Sequence, residues 1–462
     1  MNKTNVVIFT ELRKQLDVYA NDSSRYCEKA TDFTKAKKLP FVLTFCILIN
    51  MIKKTLSLEL YDSFRQLGEN QVACTASAFS QARHKLKPSV FIDMNKTLLK
   101  LYYEKHGEGV KRWEGFRLEA VDGSSVNLPD NVFIRSYYGG QINQYDIAPM
   151  ARVHARYDVL NELVIQSKIS PYGISERELA SRDLPYIAND VLSLFDRGYA
   201  SFGLFYLFTN VFKREYVCRV SLSFNKVVKA FVESGKQSEL VNFDATPTGI
   251  KFLEGQAINI TKDAKVLVRL VRVELDNGEI EILATSLIDE ASYPSSIFKE
   301  LYNLRWGVET FFDYLKNKLQ VEIFSGRSVR SIEQDFYAAI FTANVHSILI
   351  NDCESIVQEQ TKGRQGTYKI NKNISLGLLK TVLVKLFLSP NFEPIIKEIQ
   401  IEFCKHVVLS KKKETRPRKK RKRNINGKYV TLKNYKRAIQ VIKIKITNTF
   451  YLLYIRLIKC LF

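Results

Sequence analysis

Residues 300 to 316 read ELYNLRWGVETFFDYLK. Their apolar members recur at three- and four-residue intervals, a spacing that predicts a long helix over roughly residues 296 to 318. On a helical wheel the apolar side chains Leu304, Val308 and Phe311 fall together on one face, which can pack on a sheet. The stretch therefore predicts an amphipathic helix beside a core.

The polar side chains of the same helix form a narrow seam. At about 100° per residue, Arg305, Glu309 and Lys316 all fall within about 60° of Tyr302. Such a seam is also what an ordinary surface helix with an Arg305–Glu309 ion pair would show. The helix alone therefore does not distinguish a solvated face from a functional site.

Two aspartates upstream follow apolar runs that alternate or continue as strands do. In FRLEAVDGSSVNL, which starts at Phe116, the pattern places Asp122 at a strand end, before Gly123. In VLSLFDRGYA, which starts at Val191, Asp196 follows a continuous apolar run typical of a buried strand. Each aspartate alone is more often a turn former than a catalyst. Combined with Glu309, they indicate a carboxylate site.

Outward from these motifs, the chain divides by periodicity. Residues 8 to 106 have helical spacing, and a meander of three strands is predicted with its turn at Asp158 to Asn161. A hairpin is expected around Asp276 to Gly278, and an apolar helix from Ile332 to Ile350. Leu39 to Met51 is too short to span a bilayer, so we predict a buried helix there.

A shorter helix in the N-terminal part could contact DNA. Thr75 is a suitable N-cap for AFSQARHKL, which would bring Gln81, Arg83, His84 and Lys85 near one another. A solvated helix face explains the same pattern, and both interpretations stay open.

Composition excludes several classes of protein. The chain has 462 residues, 46% of them hydrophobic, which suits two to four globular domains. Seven scattered cysteines without a CxxC pair and five scattered histidines signal neither a disulfide framework nor a zinc site, so reduced thiols are expected. No nucleotide-binding glycine loop is visible. The first ten residues do not resemble a signal peptide, which predicts a cytoplasmic protein.

The net charge of +22 is concentrated in the tail. Residues 405 to 462 hold 19 Lys and Arg against one acid, and residues 411 to 423 hold ten of these cations. Such a segment binds polyanions without a precise shape, because neutralised phosphates release counterions. It is equally typical of a solvated tail.

The stretch from Glu300 to Lys316 resembles the signature Tyr-x2-Arg-x3-Glu-x6-Lys of the insertion sequence 4 family of bacterial DDE transposases, with matching spacing at Tyr302, Arg305, Glu309 and Lys316. Further matches are Asp122 in AVDGSSV, Asp196 in FDRGYAS, SAFSQARHKL and LATSLID, so the likeness spans about residues 75 to 350. Beyond about residue 400 nothing matches.

The resemblance implies an α/β protein with an RNase H-like mixed five-stranded sheet flanked by helices. The implied domains are an N-terminal helical DNA-binding domain (1–110), a catalytic domain (111–222 and 291–355), an inserted β subdomain (223–290) and a C-terminal region with the basic tail (356–462). An insertion fits the spacing, because 113 residues separate Asp196 from Glu309 whereas 74 separate Asp122 from Asp196.

The resemblance also implies a reaction. In the family three carboxylates bind a divalent metal, here Mg²⁺ with Mn²⁺ able to substitute, which corresponds to Asp122, Asp196 and Glu309. Tyr302, Arg305 and Lys316 would contact transposon-end DNA, and we add Arg197 and Trp306 as candidate DNA contacts. The expected partners are terminal inverted-repeat DNA and target DNA, bound by a homodimer in the bacterial cytoplasm at the nucleoid.

Two alternatives share the same residues. One is a catalytically inactive protein that occupies transposon ends, and the other is an RNase H-like nuclease that hydrolyses DNA without strand transfer. A tyrosine recombinase is disfavoured because no His-x-x-Arg followed by a tyrosine nucleophile stands out.

Overall fold

The computed structural model describes residues 4–35, 37–51, 53–68, 72–142 and 147–410. Residues up to Ser410 form one compact unit. The predicted basic tail lies outside the described residues. No described helix has both the length and the apolar character needed to cross a membrane.

Helices dominate both ends of the described chain. In chain order they are α1 (Thr4–Asn21), α2 (Ser23–Tyr26), α3 (Phe41–Asn50), α4 (Leu56–Arg65), α5 (Ala76–Lys85), α6 (Ser89–His106), α7 (Val132–Tyr138), α8 (Glu176–Asp183), α9 (Phe202–Tyr206), α10 (Lys226–Ser234), α11 (Pro247–Glu254), α12 (Phe298–Asn303), α13 (Trp306–Asn317), α14 (Val329–Asn351), α15 (Glu354–Gln360), α16 (Lys372–Leu388) and α17 (Glu393–Lys405).

The strands occupy the middle of the chain. They are β1 (Arg117–Asn127), β2 (Gly140–Ile142), β3 (Ile147–Asp158), β4 (Leu163–Pro171), β5 (Val191–Phe195), β6 (Glu215–Val220), β7 (Ser238–Asp244), β8 (Lys265–Glu274), β9 (Ile280–Thr285), β10 (Tyr368–Ile370) and β11 (Val407–Leu409). Apart from the small β10–β11 pair, they join in one nine-stranded mixed sheet.

The sheet runs in the order β2-β3-β1-β5-β6-β9-β8-β7, and β4 also pairs with β3. Strand β1 is antiparallel to β3 and parallel to β5, which is parallel to β6. The predicted meander is confirmed, and the Asp158 carboxylate accepts the backbone N–H groups of Leu160 and Asn161 in its turn. A mixed α/β architecture is therefore confirmed.

The sheet is larger than the five strands expected for the catalytic unit, because strands of the expected insertion join it. The expected hairpin is present as β8 and β9, but β9 pairs with β6 in the register Val217↔Thr285. The strands of residues 223–290 thus extend the central sheet, because the free edge of β6 offers unpaired backbone groups that β9 satisfies. The domain boundaries themselves stay predictions.

Each face of the sheet is covered by a different set of helices. Leu118 and Ala120 of β1 share a core with residues of α13, among them Phe311 and Leu315. Val121 belongs instead to the core that includes α8 and α9. Successive side chains of a strand point to opposite faces of the sheet. The faces occupied by Ala120 and Val121 therefore determine the faces of the residues that follow them in β1.

The N-terminal helices pack around α14, α16 and α17 rather than forming a separate core. Phe45 of α3 contacts Phe91, Phe341 and Phe387 through ring pairs. The predicted buried helix is confirmed as α3, and the predicted apolar helix is confirmed as α14. The six described cysteines are free, and five of them are buried.

Arg83 of α5 is a structural residue. The sequence pattern had placed it on a helix face that could contact DNA, and the structure corrects this. Its guanidinium donates to Gln334, Ser325 and the carbonyl of Ser331, and pairs with Asp335 at 2.9 Å. The residue is 3% exposed. The predicted Thr75 cap is present, accepting from Ala78 N, but α5 turns Arg83 inward because a buried carboxylate on α14 requires a cation.

Candidate active site

Asp122 and Asp196 occupy one level of two neighbouring parallel strands. Val121 of β1 pairs with Phe195, the last residue of β5, and each aspartate is the next residue along the chain. Parallel neighbours are about 4.8 Å apart, and the charge of Asp196 raises the pKa of Asp122, so the two carboxylates lie within electrostatic reach of one another.

The environment of Asp122 differs from that prediction in one respect. Strand β1 does not end at Gly123 but continues to Asn127, because β3 pairs with it as far as Asn127↔Met150. Only the parallel pairing with β5 stops, at Val121↔Phe195. Asp122 therefore lies mid-strand, at the point where β1 and β5 separate, and not at a strand end.

Alternation along β1 turns Asp122 toward α13, while Asp196 lies one residue past the end of β5. Ala120 and Leu194 lie in the core that includes this helix, and Asp122 and Asp196 follow them by two residues. Lys316 near the end of α13 confirms the placement, since its ammonium donates to Ser124 Oγ at 2.7 Å. The helix thus packs on β1 and β3, on the face of β1 that carries Asp122.

The predicted long helix is broken. Helix α12 ends at Asn303 and α13 begins at Trp306, because Leu304 and Arg305 make i to i+3 backbone hydrogen bonds. Tyr302 therefore precedes the bend. Its ring is 7% exposed, and its hydroxyl donates to the carbonyl of Phe195 at 3.2 Å.

Arg305 connects the helix to the carboxylates. Its guanidinium donates to Glu309 Oε1 at 2.7 Å, and its side chain is 9% exposed. Its charge also lowers the pKa of Asp122, which places it within electrostatic reach of that carboxyl. Arg305 thus holds Glu309 on the side of the helix that faces Asp122.

The Asp122 carboxyl has a strongly raised pKa. Burial raises its pKa to about 7, the Gly123 N–H and Arg305 oppose the rise, and the charges of Asp196 and Glu176 add to it. A carboxyl with this pKa is poorly stabilised as an anion by the protein itself.

Glu176, at the start of α8, is a neighbour that the sequence did not reveal. It lies over Gly123, where a β-carbon would come within 2.3 Å of its side chain. It accepts from Arg152 at 3.0 Å. The sequence shows only a helix start at this position, so nothing local indicates that the residue approaches Asp122.

Arg219 on β6 is the second residue that the sequence analysis missed. Phe195 pairs with Cys218, so Arg219 follows at the level of Asp196. Val217 belongs to the core with α13, which places Arg219 on the same face as the aspartates. Its side chain is 38% exposed and pairs with Glu281 at 2.7 Å. Only the register of three strands shows this arrangement.

The remaining predicted residues lie at the surface. Arg197 is exposed directly after Asp196, and Trp306 is 47% exposed at the start of α13. The Arg305 guanidinium lies 5.6 Å from the Trp306 ring centroid. Both residues can therefore reach a ligand that approaches Asp196 and Glu309 from solvent.

The donor set fits a hard divalent cation only in part. Carboxylate oxygens are the ligands that Mg²⁺ prefers, and within the described residues the Asp122 and Asp196 carboxylates accept only from the backbone N–H groups of Gly123 and Gly198. Yet no three His, Cys, Asp or Glu side chains of the described chain are gathered closely enough to hold one ion. Glu309 is instead engaged by Arg305.

The sequence of this chain matches a known family. A family model described as the transposase DDE domain matches residues 114–345, half of the chain, and this range contains every predicted site residue. The chain belongs to the DDE transposase family, whose members are DNA-cleaving transposases.

The resemblance to insertion sequence 4 transposases is confirmed. The chain is 22% identical over 333 residues to the transposase InsG for insertion sequence element IS4 of Escherichia coli (strain K12), covering 69% of this chain and 71% of that protein. It is 30% identical over 88 residues to the putative transposase InsZ of the same organism, covering 18% of this chain and 29% of the relative.

A solved structure shows a distant likeness. The cryo-EM structure of the piggyBac transposase synaptic complex with hairpin DNA aligns with a TM-score of 0.43 and 12% identity, over 88% of this chain and 85% of that one. At this distance the likeness decides neither fold details nor residue roles.

Proposed function

We propose that this transposase cuts the ends of its mobile element and joins them to target DNA, with Asp122, Asp196 and Glu309 as the metal-binding carboxylates. One observation supports the proposal: Asp122 and Asp196 directly follow Val121 and Phe195, which pair between β1 and β5, and the charge of Asp196 acts on Asp122. The strands β4-β3-β1-β5-β6 would form the RNase H-like unit that the family resemblance implies.

A divalent metal, Mg²⁺ or Mn²⁺, would supply positive charge that activates water or a 3′-hydroxyl and stabilises the leaving oxygen at phosphorus. The raised pKa of Asp122 supports a cation here, because burial and two neighbouring acids disfavour its anion. Asp122 and Asp196 would hold the ion first, because Asp122 is the buried carboxyl on which the charge of Asp196 acts. Glu309 would complete the ligand set if Arg305, its present partner, turned to the DNA.

The cations around the carboxylates would bind phosphates. Arg305, on leaving Glu309, offers its fork of donors to the scissile phosphate, while Lys316 and Arg197 contact flanking phosphates. Trp306 can stack on an unpaired base. Tyr302, whose hydroxyl holds the Phe195 carbonyl, would position the end of β5 and thereby Asp196, and its contact with DNA stays a prediction.

The partners follow from this chemistry. We infer that the protein binds terminal inverted-repeat DNA and target DNA in the bacterial cytoplasm, at the nucleoid, as a homodimer. The N-terminal helices 1–110 and the basic C-terminal region 356–462 would add DNA contacts outside the carboxylate site.

The test is Mg²⁺-dependent cleavage of duplexes that carry the inverted repeats beside the coding region. Asp122→Asn, Asp196→Asn and Glu309→Gln should each abolish cleavage and leave binding of the duplex intact. Asp313→Asn is the matched control, since Asp313 lies on the same helix as Glu309 but is exposed.

The outcomes separate the alternatives. Retained cleavage in any of the three variants removes that residue from the site. Binding without cleavage by the unaltered protein identifies an inactive end-binding protein, and cleavage without joining of pre-cut ends identifies a nuclease.

A further inference from the structure

A cleft of about 710 Å³ opens beside the carboxylate site on the opposite face of the sheet. Its wall includes Ala200 and Ser201, four and five residues after Asp196, and Ser175 and Arg177 on either side of Glu176. The charge of Glu176 acts on Asp122. The cleft wall is therefore built in part from the segment that follows Asp196 and from the two neighbours of Glu176.

Aromatic rings form much of this cleft. Phe202 and Phe243 are buried in its floor, whereas Phe224 and Phe252 are half-buried and keep part of their rings open to it. Phe224 contacts Phe243 at a ring separation of 5.6 Å. Flat apolar surfaces of this kind accept unpaired bases, whose faces a duplex would hide.

The charged side chains of the cleft that form no ion pair with another described residue are cations. Its two acids are already paired, Glu178 with Arg182 and Asp244 with Lys265. Arg177 and Lys251 are exposed on the wall, and within the described part of the chain neither has an ion-pair partner. The starts of α8, α10 and α11 also lie on the wall, and their dipoles add to the same potential.

We propose that this cleft binds an unpaired stretch of the DNA strand that leads away from the scissile phosphate, with Phe224 and Phe252 stacking on bases and Arg177 and Lys251 on phosphates. The proposal rests on the proposed transposase function, because the DNA must already lie at Asp122 and Asp196. The size of the cleft suits one or two nucleotides, within the usual range of ligand sites.

Binding of the full-length protein to a fluorescent oligothymidine of about twelve nucleotides and to a blunt duplex of similar length tests the proposal. Arg177→Gln with Lys251→Gln should weaken oligothymidine binding about tenfold and leave duplex binding nearly unchanged. The slope of log affinity against log salt should fall by about 1.4, the value for two phosphates on a single strand.

The matched control is Lys229→Gln with Lys262→Gln, two exposed lysines of the same segment that do not line the cleft. Phe252→Leu provides a second measurement, since it removes the stacking ring and keeps both charges. An unchanged melting temperature of each variant shows that it is folded. A 5-iodouracil in the oligonucleotide should crosslink to the peptides that contain Phe224 or Phe252.

Equal losses for both DNAs, losses that the control pair reproduces, or crosslinks outside the cleft would each overturn the proposal. Failure of the unaltered protein to cleave terminal-repeat DNA is a different result. It would overturn the transposase mechanism and this inference together, whereas normal cleavage with an unaffected oligothymidine affinity would overturn the inference alone.

Discussion

Arg219 and Asp196 lie at one level of the sheet, each one residue beyond the paired Cys218 of β6 and Phe195 of β5. The cation is held by Glu281 and not by the aspartate. An arginine at this level of the sheet, with 38% of its side chain exposed, can exchange its carboxylate partner for a DNA phosphate. With Arg219, the candidate site includes a residue of β6 in addition to Asp122 of β1 and Asp196 directly after β5.

Arg219→Gln should slow cleavage of terminal-repeat DNA about ten- to hundredfold, the effect of losing a hydrogen bond to a charged group. Glu281→Gln should strengthen DNA binding, because it frees Arg219 to contact a phosphate. Single-turnover cleavage and duplex affinity measure the two effects. If Arg219→Gln changes only the melting temperature, the arginine serves the sheet alone.

The stability of the protein should depend on the ionisation of Asp122. Its pKa is raised to about 7, so the folded state binds the proton more tightly than the unfolded chain. This contribution to stability is complete below the ordinary aspartate pKa and is lost as pH rises through about 7. In EDTA, Asp122→Asn should therefore raise the melting temperature at pH 8. The increase over the unaltered protein should become smaller as the pH is lowered toward 5. A gain that does not vary with pH would contradict this assignment.

Mg²⁺ should stabilise the unaltered protein through the same carboxylates. At a hundredfold excess over its Kd, a ligand of the folded state alone adds about 2.7 kcal/mol. Melting at pH 8 with Mg²⁺ and with EDTA measures the shift, which Asp196→Asn should abolish and Asp313→Asn should keep. A shift that survives in Asp196→Asn would place the ion elsewhere.

Lys316 should contribute one phosphate contact. Its ammonium lies on Ser124 Oγ at 2.7 Å, on the face that carries Asp122. Lys316→Gln should reduce the slope of log affinity against log salt by about 0.9 for duplex DNA. Ser124→Ala is the control, because it removes the serine hydroxyl but keeps the charge. An equal change of slope in both variants would mean that loss of the Lys316–Ser124 hydrogen bond, and not loss of a phosphate contact, causes the change.

The Arg83–Asp335 pair should be essential for folding rather than for DNA contact. Both side chains are almost fully buried, at 4% and 0% exposure, so removing one leaves an uncompensated charge. Arg83→Ala should cost about 3 to 5 kcal/mol in urea unfolding. Lys85→Ala on the same helix, with 37% of its side chain exposed, should cost little. A stable Arg83→Ala protein with weak DNA binding would reverse this assignment.

Much of the architecture could be predicted because it depends on short-range patterns. Alternation located β1, β3 and β4, and the Asp158 turn followed from local hydrogen bonding of its carboxylate. The three acids of the candidate site could be named because Asp122 and Asp196 each follow an apolar run and Glu309 lies in the polar seam of a helix that resembles the family signature. The family match over residues 114–345 confirms the class of protein that those motifs indicated.

What the sequence determined by itself is the set of elements and the side chains that each presents, since period and composition act within a few residues. Tertiary structure alone decided that β9 joins β6, that α12 and α13 break at Arg305, and that Arg219 and Glu176 approach the aspartates. These relationships depend on strand register and on packing between distant segments. No local pattern encodes them, because hydrogen-bonded partners far apart in the chain are chosen by the burial of the whole sheet.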